Sequence, residues 1–299
     1  MNERLNLSTA LLLTVPPLLW AGNAVVGRLA HGLVPPMTLN LLRWALALLL
    51  LLPLAGHLLR PDGPVWRHWR ALLLPGLLGV GCYNALLYLA LKTSSPLNVT
   101  LVAASSPMMM LGMGVLFFGQ KLRARQVLGA LVSMAGVLLV LSRGELAVLL
   151  QLRLVAGDVY VLLATLAWAW YSWLLTRPVP DAELRAHWAG LLLAQTSFGL
   201  GWAALFALGE WTLTTPSIAW GLPLAAILLY VAVGPAILAY RAWGLGVSRV
   251  GPNVAAIFSN LTPLIAALLS TLFLGEAPRA YHLLAFLLIA GGIVVSSRR

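Results

Sequence analysis

The sequence predicts an all-α integral membrane protein, with ten transmembrane helices arranged as two inverted five-helix repeats. Three observations predict it. First, 61% of the 299 residues are hydrophobic and only 9% are charged, where a soluble domain carries about 25% charged residues. Such a chain cannot face water over its whole surface. Second, the apolar residues fall into ten runs of the length a bilayer span needs, about 20 residues. Third, one stretch occurs twice. Residues 96–141 align without a gap with residues 252–297, and ten of the 46 aligned positions are identical. They include Pro96/Pro252, Pro107/Pro263, Gly119/Gly275, Arg123/Arg279 and Gly136/Gly292. Matched Pro, Gly and Arg are informative because they break helices or carry charge. The offset is half the chain, far too long for a solenoid repeat, so the molecule divides into residues 1–149 and 150–299.

The elements follow in order. The lead MNERLNLSTALLL passes into an apolar run without a clear small-residue cleavage site and reads as a retained first span. The first half then holds spans 8–29, 37–55, 69–91, 96–118 and 124–141, and the second holds 157–176, 186–208, 218–247, 252–273 and 279–297. The longest connections, 56–68 and 142–156, leave no room for a soluble domain.

An odd number of spans per half puts the second half into the bilayer upside down, as in many secondary transporters. Loop charges agree. The side of the N-terminus collects Arg4, Arg60, Arg67, Arg70, Lys121, Arg123, Arg125, Arg177, Arg185, Arg249, Arg298 and Arg299, and the other side only Arg28, Lys92, Arg143, Arg153 and Arg279. Twelve against five predicts both termini in the cytoplasm. The net charge of +11 is explained by these loops and does not point to nucleic acid. The single cysteine, Cys82, lies in an apolar run and reads as a buried structural thiol.

No HExxH, GxSxG, P-loop or paired Cys/His spacing is present, so the chain shows no enzyme, metal, cofactor or nucleotide motif. The five histidines sit near span ends, and no acid sits mid-span, which argues against a carboxylate proton relay. What remains is a set of polar and aromatic residues inside the spans: Trp20 and Asn23 in span 1, Tyr83, Asn84 and Tyr88 in span 3, Asn98 in span 4, Trp168 and Tyr171 in span 6, and Asn253, Ser259 and Asn260 in span 9. An amide in hydrocarbon needs partners, so these faces point inward, either to bond helix to helix or to meet a substrate. Arg241, about one and a half turns inside span 8, either snorkels to the cytoplasmic surface or faces the cavity and pairs with a substrate carboxylate. Arg43 in span 2 reads as a snorkelling or interfacial residue. Pro107 and Pro263 cannot donate to the carbonyls of Ala103 and Ser259, and each lets its helix bend. They are the expected gating positions.

The two signatures LFFGQKLRARQVLGALVSMAG and LFLGEAPRAYHLLAFLLIAGG, with two five-span halves, resemble the EamA branch of the drug/metabolite transporter superfamily. Within it the pattern is close to the bacterial YddG-type exporters of aromatic amino acids. The resemblance implies that spans 1, 3, 4, 6, 8 and 9 surround a central cavity. It departs in one place, Gln120 standing where the second signature has Glu276. The resulting expectation is an inner-membrane exporter of neutral, partly aromatic amino acids, working by alternating access. An exporter of drugs or organic cations is the alternative, and the lack of a buried carboxylate speaks against it. A lipid-modifying enzyme would need an acid, base, nucleophile or metal set that is not seen.

Overall fold

The computed structural model describes residues 5–151, 153–178, 181–274 and 279–298, with the backbone alone described at 24, 25, 28, 96, 97, 146 and 270–274. Arg4, Glu276 and Arg299 lie outside the described residues. The described chain is helical, with no strand. We label its long helical segments α1 (Leu7–Leu29), α2 (Pro36–Ala55), α3 (Trp69–Ala90), α4 (Pro96–Ala103 and Ser106–Phe118) and α5 (Ala124–Leu141). They continue as α6 (Ala156–Leu174), α7 (Gly190–Leu213), α8 (Leu222–Val250), α9 (Pro252–Ser259 and Leu261–Leu274) and α10 (Ala280–Ser297). Short helices at Gly56–Leu59, Pro64–Arg67, Leu146–Leu150 and Ala182–Ala186 sit in the connections.

Among the described residues, eight helices are long and apolar enough to cross a membrane. The sequence expects ten. In α1 the apolar stretch described is Leu7–Asn23, and α6 is diluted by Asp158, Trp168, Trp170, Tyr171 and Trp173. Leucines such as Leu116, Leu208 and Leu287 are exposed on the outside, while Leu13, Trp44 and Trp243 are fully buried. A leucine-clad exterior around a polar-aromatic interior suits lipid as solvent.

The helix boundaries follow local chemistry. Proline opens α2, α4 and α9 at the first helical position, where its missing N–H costs nothing. Ser95 caps α4 by accepting from the Asn98 N–H at 3.1 Å. Gly119 ends α4 with φ 62°, a left-handed conformation that glycine adopts without strain. Both α4 and α9 are interrupted just before Pro107 and Pro263, their first halves ending at Ala103 and Ser259.

Two segments are wound as π-helix: Gly76–Cys82 in α3 and Ala232–Leu238 in α8. Their offset is the same as that of the duplicated stretch. A π turn presents carbonyls that the α ladder does not use, and side chains meet several of them here. Asn40 donates to the carbonyls of Val80 and Gly81 (3.1 and 3.3 Å), Tyr240 to that of Gly79, and the Trp20 indole to that of Pro235 (3.4 Å).

Packing repeats the same pairing on both sides. α1 packs on α8 and α9, as α6 packs on α3 and α4. α2 and α7 pair with each other, as do α5 and α10, and as do α4 and α9. At the α5–α10 seam the backbones nearly touch: a Cβ added at Gly129 would lie 2.5 Å from the Gly292 carbonyl, and one at Gly136 would lie 2.9 Å from the Ala285 carbonyl. Small residues allow this approach, and the crossed order of the contacts makes the two helices antiparallel. One end of the bundle gathers Leu5, the start of α5 (Arg123–Gln126), the end of α8 and the end of α10; we call it the terminal end. The far end gathers the close of α1, the α3–α4 corner and the segment after α7. α4 therefore starts at the far end and α9 at the terminal end.

Candidate functional site

A cavity of about 170 Å³ lies between α1, α3, α4, α6 and α9. Trp20, Asn23, Tyr83, Asn84, Tyr88, Thr165, Trp168, Ser259, Asn260 and Pro263 line it, together with Ala103 and Ser106. Toward the far end it meets a vestibule of about 900 Å³, with Tyr88 and Leu91 belonging to both. Residues of the far-end corners, among them His31, Lys92, Ser95 and Thr214, line that vestibule.

Toward the terminal end the cavity is closed by rings. Trp168 is the hub: Trp20 meets it edge-on at 5.2 Å, and Tyr83, Tyr240 and Trp243 lie at 4.6, 5.2 and 5.2 Å between ring centres. Trp44 abuts Tyr240 at 5.0 Å. Such offset and edge contacts add about 0.5–1.5 kcal/mol per pair beyond area burial. Hydrogen bonds hold the rings in place: the Trp243 indole donates to Ser172 at 3.0 Å and the Tyr171 hydroxyl to Gln195 at 3.1 Å.

The polar lining falls into two kinds. Some groups are already occupied. Asn260 donates to Ser133 at 2.8 Å, Asn84 to the Tyr240 hydroxyl at 3.4 Å, and the Tyr88 hydroxyl to Asn23 Oδ1 at 3.1 Å. Others are buried without a partner, namely the hydroxyls of Ser106 and Ser259. A buried hydroxyl left unmade costs about 1–3 kcal/mol, so both are open to a ligand.

The cavity brings together Trp20, Asn23, Tyr83, Asn84, Tyr88, Trp168, Ser259, Asn260 and Pro263. It does not include Asn98, Tyr171, Arg241, Asn253 or Pro107. Asn98 is spent on the α6 corner, donating to the Asp158 carboxylate at 3.1 Å and the Arg153 carbonyl at 2.9 Å. Tyr171 lies behind Trp168. Arg241 is exposed, its guanidinium 4.1 Å above the Trp188 ring; amphipathic at its stem, it reaches the surface instead of the cavity. Asn253 Oδ1 is buried without a partner at the start of α9, and Pro107 is buried behind Ser106. The sequence reading missed Tyr240, Trp243, Thr165 and Ser106. The first two were signalled by ring-bearing residues three apart in an apolar run.

Arg43 is a correction. It does not snorkel: its exposure is 0%. Nη1 donates to the Tyr88 hydroxyl at 3.0 Å, the guanidinium lies 5.3 Å from the Trp44 ring centre, and Nε and Nη2 have no partner. Apolar helix continues on both sides of it, too far from either end for the side chain to reach water.

A chamber of rings and hydroxyls that opens into a vestibule and is sheathed in leucine suits a multi-pass membrane transporter. The chain belongs to the EamA-like transporter family, which it matches over residues 7–142 and again over 155–298. It is similar to an uncharacterized transporter of Archaeoglobus fulgidus, 24% identical over 99% of both chains. It is also similar to the aromatic amino acid exporter YddG of Ancylobacter novellus, 25% identical over 94% of this chain and 93% of the relative. A solved crystal structure superposes with a TM-score of 0.72 at 24% identity, covering 96% of each chain. The family consists of transporters, and the chain is not an enzyme.

Proposed function

We propose that this transporter exports neutral, aromatic amino acids and related small metabolites across a bacterial inner membrane by alternating access. In this reading ten helices span the bilayer as two inverted repeats, residues 1–149 and 150–299, with both termini in the cytoplasm. Support for the repeats comes from the double family match, the π segments at one shared offset, and the opposed entry of α4 and α9. The loop charges support the orientation. The described state is then open outward through the vestibule and shut inward by the rings around Trp168.

The observation that carries the substrate class is the ring-lined cavity itself. A dry cavity of about 150 Å³ accepts one benzene ring, and this one is of that scale with Ser106 and Ser259 free to bond a head group. The name of the Ancylobacter novellus relative points the same way. Pro107 and Pro263 interrupt α4 and α9 at matched positions and are the proposed bending points. Proteoliposomes should accumulate labelled phenylalanine saturably and labelled lysine not at all; absence of saturable phenylalanine flux would overturn the substrate class. A second reading, export of organic cations, draws on the same rings. It is disfavoured because no carboxylate lines the cavity among the described residues.

A further inference from the structure

Arg43 is a charge without a counter-charge. Among the described residues no carboxylate pairs with it, and two of its three guanidinium nitrogens make no hydrogen bond. A guanidinium keeps its proton in proteins, and a buried charge is expensive unless paired. An ionisable group at membrane depth that architecture does not require marks a function.

What Arg43 does is legible in the direction of its hydrogen bonds. Nη1 can only donate, so the Tyr88 oxygen accepts, at 3.0 Å. The Tyr88 proton then goes to Asn23 Oδ1, at 3.1 Å. This fixes which way the Asn23 amide points. Its oxygen is turned to Tyr88, and its NH₂, which makes no hydrogen bond with any described residue, is what Asn23 offers the cavity. Tyr88 stands where the cavity joins the vestibule. The entrance to the ring-lined chamber thus presents the Asn23 NH₂ as a donor, backed by a positive charge in low dielectric.

Resting on the transport reading above, we infer that Arg43, acting through Tyr88 and Asn23, sets the charge selectivity of the cavity. The entrance receives the carboxylate of aryl acids and aryl amino acids and rejects aryl amines that lack one. Arg43 and Tyr88 are positioning residues; the Asn23 NH₂ makes the contact.

The test holds the aryl group fixed and varies only the charge. Purified protein in detergent is titrated with 3-phenylpropionate, phenylalanine and 2-phenylethylamine, and thermal stabilisation is read for each. The two carboxylates should stabilise the native protein and 2-phenylethylamine should not. Arg43→Lys should keep that order, and Arg43→Gln should weaken carboxylate binding at least tenfold and abolish the preference. Tyr88→Phe leaves the charge in place and cuts the relay, and it should also lose the preference. It decides the matter if Arg43→Gln elutes aggregated. Equal or better binding of the amine by the native protein, an intact preference in Tyr88→Phe, or stabilisation by none of the three ligands overturns the inference. Carboxylate preference in binding without phenylalanine flux in proteoliposomes would overturn the export reading and leave the role of Arg43 standing.

Discussion

Asp158 and Arg43 are both buried ionised side chains, and they are treated in opposite ways. Asp158 accepts from the Ser94 hydroxyl, from Asn98 at 3.1 Å and from the Val155 N–H at 2.9 Å. It ties the start of α6 to the α3–α4 corner and leaves nothing to spare. Arg43 has one hydrogen bond and two idle nitrogens. The contrast separates architecture from use. A saturated polar cluster rigidifies a corner, whereas an unsaturated one beside a cavity holds its remaining valence for something that arrives.

The largest expected effect is at the saturated site. Asp158→Ala removes the acceptor of two buried donors, Ser94 and Asn98, and of the half-buried Val155 N–H, a stranded buried donor costing about 1–3 kcal/mol. It should lower folded yield and thermal midpoint sharply by size-exclusion and melting assays; a wild-type midpoint would break the contrast. Next come Pro107→Ala and Pro263→Ala, which should cut transport about tenfold, on the order of 1.4 kcal/mol, while leaving yield nearly intact. Full transport in both would remove the bending role. Arg43→Met sharpens the comparison from the other side. Replacing a poorly paired buried charge with an apolar side chain of similar volume is often neutral or stabilising, by about 1–4 kcal/mol. The melting midpoint should therefore hold or rise, and a fall as large as that of Asp158→Ala would make Arg43 architectural. Arg241→Gln, on the outside against Trp188, should leave transport unchanged and cost about 0.5–1 kcal/mol at most.

The smallest effect belongs to the exposed ties between the α2–α3 and α6–α7 connections. Glu183 is held below the usual carboxylate range mainly by its hydrogen bond with Arg60, and Asp181 mainly by the Glu183 N–H. Depressed values mean that the contribution is present above the ordinary carboxylate range and fades as pH falls through the lowered ones. Exposed pairs are worth little. The melting difference between wild type and Glu183→Gln should be slight near neutral pH and vanish in acid.

The repeated stretch stands out in the sequence because Pro, Gly and Arg recur at one spacing, and those residues constrain a helix whatever surrounds them. Much of the cavity was legible for a related reason: polar and ring-bearing residues inside apolar runs have few places to go. Pairings between distant segments were not. That Asn98 is consumed by Asp158, 60 positions away, and that Asn260 is consumed by Ser133 are facts of folding that spacing does not encode. Arg43 was misread because a lone arginine between apolar runs looks the same whether its helix faces lipid or the interior. Arg241 could go either way until Trp188 was found beneath it.

The wide turns in α3 and α8 carry a mechanical implication. Each holds one residue more than ordinary winding would use. Tightening such a turn would swivel everything beyond it by about 100°. In α3 the part beyond carries Tyr83, Asn84 and Tyr88, and in α8 it carries Tyr240 and Trp243. A single surplus residue per half therefore dictates which rings look into the chamber, and Asn84 meets Tyr240, its counterpart 156 positions on, where the two settings join.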